Sequence, residues 1–177
     1  MRHCPVPLLV ISAATEKPLA PRFRRILVTT DLSEGTTDAL ACALTLAEKD
    51  KSQITLLHVV HDIVADVSGD YRGVLLSGVQ QSLDDLVPTQ PRKRYDILTR
   101  VDVGRADRII PRWVISNRVD LLIMSIQEKS ILDRALYGST AEQVVRAGGC
   151  PVLLIPPVRK AIRARRSESK RAKVKAA

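Results

Sequence analysis

Apolar residues along this chain fall into short unbroken runs, separated by stretches with a helical period. Arg25–Thr30 (RILVTT), Gln53–Val60 (QITLLHVV), Tyr95–Val103 (YDILTRVDV), Asp120–Ser125 (DLLIMS) and Cys150–Ile155 (CPVLLI) are rich in Val, Ile, Leu and Thr and short enough for strands. Between them, apolar positions recur every three or four residues, as at Leu40, Ala43, Leu44 and Ala47, or Ile109, Ile110, Trp113 and Val114. That is the stripe of an amphipathic helix. The pattern predicts a first helix capped by Asp31 or Ser33 and running to about Lys49. Further helices are predicted over 71–86, over Asp107–Asn117 and from Ser139, the last with Ala141, Val144, Val145 and Ala147 inward. Residues 61–94 carry the weakest pattern, and Pro88–Pro91 reads as a turn. Residues 126–137 read as a loop or a short helix.

Runs as apolar as LLIM and VLLI belong to strands covered on both faces. Strands alternating with helices at this spacing predict an α/β fold, an open five-stranded parallel sheet, doubly wound with right-handed crossovers. Ligands in such sheets bind beyond the carboxyl ends of the strands, where the strand order reverses. The residues at that rim are Asp31, His58 to His61, Gly104, Ser125 to Lys129 and Gly138-Ser139. The stretch 138–155 is the most informative. Gly138 lets the backbone approach a neighbour or an anion. Ser139 and Glu142 have the spacing of a capping box, and Gly148-Gly149 stop the helix before the last strand.

The amino end offers a second apolar run. Met1-Arg2-His3, then Val6–Ile11 and Ser12-Ala13-Ala14, imitates a secretory leader, but its apolar part is interrupted by Pro7 and falls short of the usual ~7–15 residues. Cys4-Pro5-Val6-Pro7-Leu8-Leu9-Val10-Ile11 matches Cys150-Pro151-Val152-Leu153-Leu154-Ile155 with an insertion. Two readings stand: an accidental apolar leader, or an extra strand left from a second domain's last strand. As a strand, 6–11 would add beside Pro151–Ile155 and bury a bare apolar edge that otherwise recruits a partner. Pro5 and Pro7 weaken this reading, since each removes a ladder donor. Glu16 to Pro21 reads as a linker. The chain thus divides into an extension (1–22), one α/β domain (23–157) and a tail (158–177).

Charge changes the picture only at the tail. The chain of 177 residues holds 28 Lys+Arg and 19 Asp+Glu, a net of +9, and Val158–Ala177 alone carries +8 of it. The body is therefore nearly neutral. The tail has too few apolar residues to pack and is expected to be disordered, or helical only when bound. Its charge suits salt-sensitive attachment to nucleic acid or an anionic surface, and a merely solubilising tail is the alternative. It has no aromatic residue to stack on bases. The cysteines (Cys4, Cys42, Cys150) are odd in number and widely spaced, as small core residues of a reducing, cytoplasmic compartment would be. No run approaches the ~18 apolar residues of a membrane span. His3, His58 and His61 show neither metal-ligand spacing nor a nucleophile partner, so neither a metal site nor an enzyme is expected.

In order and spacing, ILVTTDLSE, LLHVV, VDVGRADRII, DLLIMS and YGSTAEQVVRAGGCPVLLIP resemble the universal stress protein (UspA-like) family over roughly residues 24–157. The resemblance implies an adenine nucleotide alpha hydrolase-like fold and a homodimer through the last strand, Pro151–Ile155, with Val6–Ile11 as a competing or swapped strand. Some members bind ATP through a G-x2-G-x9-G-[ST] loop. On this chain the loop's glycines fall on Ser125, Glu128 and Gly138, the last followed by Ser139. The resemblance also places Asp31 near the base and ribose and the Val59 backbone near the adenine. Both have plain readings too, Asp31 as a cap or a partner for loop amides and Val59 as a core residue. Glu128 departs most from the pattern. A carboxylate beside phosphates adds repulsion of ~1–4 kcal/mol per charge pair, which Lys129 would partly offset. The expected function is a non-catalytic stress-response binding or signalling module, dimeric, with a degenerate nucleotide cleft and no cofactor. The alternatives are an ATP-binding switch using Asp31, Val59, Ser125, Glu128, Gly138 and Ser139, and a nucleic-acid-associated protein led by its tail.

Overall fold

The computed structural model describes residues 6–11, 22–33, 35–61, 69–125 and 139–156. The apolar runs become strands β2 (Arg25–Thr30), β3 (Gln53–Val60), β4 (Ile97–Val103), β5 (Leu121–Ser125) and β6 (Val152–Ile155), preceded by a short β1 (Leu8–Val10). They form one sheet in the order β1-β6-β5-β2-β3-β4. All neighbours pair in parallel except β1, which runs antiparallel to β6 with Leu8 opposite Leu154, Leu9 opposite Leu153 and Val10 opposite Val152. The last strand is therefore not an edge, as the extra-strand reading of 6–11 expects. β1 covers it, and only three of the residues 6–11 form strand.

Side chains alternate across the sheet with the strand period of two. Ile26, Val28, Ile54, Leu56, Leu121 and Ile123 face one layer of helices. Leu27, Leu57, Leu122, Met124, Val152 and Leu154 face the other. The first layer is α1 (Gly35–Asp50), packed through Ala39, Leu40, Ala43 and Ala47, with α2 (Gly69–Asp85), packed through Leu83. A six-residue α3 (Thr89–Arg94) follows where a turn was expected. Pro91 lies in its first turn, where a missing N–H costs little. The Arg92 guanidinium ties the segment down by donating to the carbonyl and carboxylate of Asp84 at 2.8 Å each.

The second layer is α4 (Ala106–Ser116) and α5 (Ser139–Ala147). α4 buries Ile110 and Val114, and α5 buries Ala141 and Val144. Ala147, expected inward, is exposed, because it falls on the far side of the last turn. Glu142 Oε1 accepts from Arg146 Nε and Nη2 at 3.0 and 2.9 Å, one helical turn away. Gly149 ends the helix with φ +100°, and a Cβ there would lie 3.1 Å from Val114 Cγ1. The glycine thus both reverses the chain and lets α5 close onto α4.

At the amino ends of the strands, carboxylates staple the loops. Asp120 Oδ2 accepts the Arg24 and Arg25 amides at 3.0 and 2.9 Å, and Asp50 Oδ2 accepts the Phe23 amide at 3.2 Å. The chain runs outward from β2 through β3 to β4, then returns to the other side of β2 with β5 and β6. The reversal at β2 and β5 is where a ligand cleft belongs in such a sheet.

Candidate functional site

The rim at this reversal is built by the turn from β2 into α1. Thr30 ends β2 with a buried hydroxyl, hydrogen bonded to the hydroxyl of Thr36, which is fully buried in the first turn of α1. Thr30 Oγ1 also accepts the Leu32 amide at 2.8 Å, and Asp31 Oδ1 accepts the Ser33 amide at 3.0 Å. Together these bonds hold Leu32 at φ 63°, a left-handed conformation that a leucine adopts only when its surroundings impose it. Asp31 serves the turn rather than the helix start, since the first-turn amide of Thr36 is taken by the Ser33 carbonyl at 3.0 Å. Asp31 is exposed, and its Oδ2 has no partner among the described residues.

Ser125 ends β5 on the other side of the reversal and is half-buried. It meets the start of α1, where a Cβ built on Gly35 would lie 3.1 Å from Ser125 Cβ and 3.4 Å from its Oγ. Gly35 is a member of the rim that the sequence reading missed. A glycine at a helix start is a weak local signal, and its neighbour lies ninety residues away. Thr30 and Thr36 were missed too, since a strand threonine and a helix threonine carry no motif.

On the β3 side, His58 Nδ1 lies 2.8 Å from the Thr30 carbonyl oxygen. A carbonyl only accepts, so Nδ1 carries the hydrogen and the ring is committed to bridging β2 and β3. Val59 is half-buried on the α4–α5 face. The Gly104 amide donates to the Val60 carbonyl at 2.8 Å, joining the ends of β3 and β4. Beyond it Arg105 pairs with Asp107 at 2.9 Å and holds that carboxyl below the usual carboxylate range.

The structure thus gathers Asp31, Ser125 and Val59 at the carboxyl ends of β2, β5 and β3. Ser139 opens α5, so the amino ends of α1 and α5 both follow strands of this rim. Glu128 and Gly138, and the basic tail from 158 onward, lie outside the described residues.

The same residues bear on catalysis. Among the described residues no group of three or more His, Cys, Asp or Glu could hold a metal ion. Burial pushes the Cys42 thiol up, away from the reactive thiolate. Among the described residues no helix is long and apolar enough to cross a membrane. A cavity of about 360 Å³ opens at the opposite end of the strands, between Arg25, Gln53, Arg100 and Trp113, remote from the rim.

Comparison with known proteins agrees with this architecture. The model of the universal stress protein family matches residues 22–156. A universal stress protein of Methanocaldococcus jannaschii is 24% identical over 150 residues, covering 78% of this chain and 85% of that protein. Among solved structures, a functionally unknown protein from Pseudomonas aeruginosa PAO1 superposes with a TM-score of 0.66 at 18% identity, covering 96% of this chain and 58% of that one. A universal stress protein in complex with cAMP superposes with a TM-score of 0.52 at 19% identity, covering 76% of this chain and 97% of that one. The chain belongs to the universal stress protein family.

Proposed function

We propose that this protein is a non-catalytic stress-response module that binds or signals through the rim at β2 and β5, with a weakened nucleotide cleft. The observation that carries this reading is Ser125. It stands where the phosphate loop of nucleotide-binding relatives begins with a glycine, and its side chain is wedged against Gly35 at the start of α1. A loop leaving β5 there carries a Cβ through the region where backbone amides turn towards phosphates. Three residues on in the sequence, Glu128 falls on the second glycine of that loop by the resemblance, which would bring a carboxylate to the phosphates. Titration of the protein with ATP and magnesium by calorimetry tests the reading. No binding below millimolar is expected, and micromolar binding overturns it.

The second reading is a nucleotide-responsive switch. Its support is that α1 and α5 both begin after strands of the rim, together with an Asp31 carboxylate that has one oxygen to offer a ribose. The fold neighbour solved with cAMP adds to it. The same titration with cAMP as well as ATP separates the two. In either reading β6 is the strand through which two copies pair when β1 leaves its edge, and the tail, with +8 of the net charge, makes weak salt-sensitive contacts with nucleic acid or an anionic surface. Retention on DNA with and without residues 158–177 measures the tail's part.

A further inference from the structure

Cys4–Ile11 and Cys150–Ile155 are near-duplicates in sequence, and the fold lays Leu8–Val10 beside Val152–Leu154. The pairing is antiparallel and centred on Leu9 opposite Leu153, with Leu8 across from Leu154 and Val10 across from Val152. Leu8 and Val10 lean on the α4–α5 core, the same face that Val152 and Leu154 occupy. A second copy's β6 laid across a two-fold axis, Leu153 opposite Leu153, would use this same geometry. Its Val152 would then take the place of Leu8 and its Leu154 that of Val10, on the same face, because a two-fold axis normal to the sheet keeps each side chain on its own face.

We propose that β1 is a built-in copy of β6 that occupies the pairing edge of β6, closing it to the β6 of a second copy until β1 is displaced. This rests on β6 being the surface through which copies pair. β6 already pairs with β5 on one side and β1 on the other, so no row of its backbone groups is left for a partner. β1 is suited to be a removable stopper. It is only three residues long, it follows Pro7, and Leu9 remains 42% exposed. Tethering supplies what the short ladder lacks. A strand on a short linker has an effective concentration near millimolar, about a thousandfold above a second copy at micromolar protein. The Pseudomonas aeruginosa neighbour, a longer chain, matches 96% of this one, beyond the residues 22–156 of the family model, so the likeness is not confined to the core domain.

The test uses full-length chains. Leu8→Asp/Val10→Asp puts two carboxylates against the α4–α5 core and unseats β1. Leu9→Cys/Leu153→Cys, in a Cys4→Ser background, locks it, since directly paired strand residues lie within disulfide reach. Sedimentation from 1 to 500 µM is expected to give a monomer for the native chain at low micromolar concentration. The unseated variant is expected to dimerise at least tenfold more tightly, and the oxidised locked variant to remain monomeric throughout, with its cross-link inside one chain. An unseated variant with native circular dichroism that dimerises no more than the native chain overturns the proposal. So does a cross-link that joins two chains. Dimerisation of the locked variant shows instead that copies pair elsewhere than at β6.

Discussion

A Cβ added to Gly35 would meet the Cβ of Ser125 at 3.1 Å, so the start of α1 and the end of β5 are in contact with no room for a side chain between them. The contact spans the reversal of strand order and sets the width of the rim. Ser125 cannot swing away, because its Cβ is fixed by a strand paired with β2 and β6 on either side. Gly35→Ala should therefore destabilise the fold by about 1–2 kcal/mol, as overpacking of a fixed contact does. Gly35→Ala/Ser125→Gly should recover most of that loss, and urea melts of the four proteins give the coupling directly. Additive losses would show that the two residues do not touch.

Asp84 and Thr99 tie α2 to the edge strand β4. Thr99 Oγ1 donates to Asp84 Oδ1 at 2.6 Å, and Gln80 and Arg92 also donate to that carboxylate. The hydrogen bond from Thr99, then those from Arg92 and Gln80, hold its carboxyl below the usual range. A folded-state pKa below the unfolded value of about 3.9 contributes stability that is complete above that value and lost as pH falls through the folded one. Thr99→Val should cost about 1 kcal/mol at pH 7 in this half-open site, and less near pH 3. Denaturant melts at the two pH values check it, and an equal loss at both would remove the carboxylate from the explanation.

Trp113 is the chain's one tryptophan, and its Nε1 donates to Asp102 Oδ2 at 3.0 Å, joining α4 to β4. Asp102→Ala would leave the half-buried indole N–H without its acceptor, at about 1–2 kcal/mol. Asp102→Asn keeps an acceptor and should cost less than half as much. Indole emission and thermal melts of both variants follow the bond, and equal losses would mean that packing rather than the hydrogen bond holds α4 there.

Much of this architecture could be read in advance because it is local. RILVTT and DLLIMS are buried on both faces and look it, and Gly148-Gly149 end α5 in the left-handed region that favours glycine. What escaped depends on distant partners. α3 reads as a turn from Pro88 and Pro91, yet Asp84, an α2 residue, captures Arg92 and makes a helical turn there. Ala147 is apolar and three residues from Val144, but it falls on the exposed side of the last turn of α5. The Gly35–Ser125 contact joins residues whose own neighbourhoods say nothing of each other. The N-terminal run could be matched to the last strand by its letters. That match already places it beside β6, covering its edge; the antiparallel register and the three-residue length follow only from the sheet.

The cleft makes the sharpest demand on the proposed function. If Ser125 and Glu128 are what weaken phosphate binding, restoring glycine at both should strengthen it. Ser125→Gly returns backbone freedom to the end of β5, and Glu128→Gly removes repulsion of ~1–4 kcal/mol per charge pair. The double variant should bind ATP with magnesium at least tenfold more tightly than the native chain, and Glu128→Gln alone should account for most of the gain, since the charge outweighs the Cβ. Asp31→Ala in that background should then weaken binding again if its Oδ2 reaches the ribose. Calorimetric titration at fixed ionic strength reads all four proteins, and a double variant that binds no better than the native chain would place the cause of weak binding outside these two side chains.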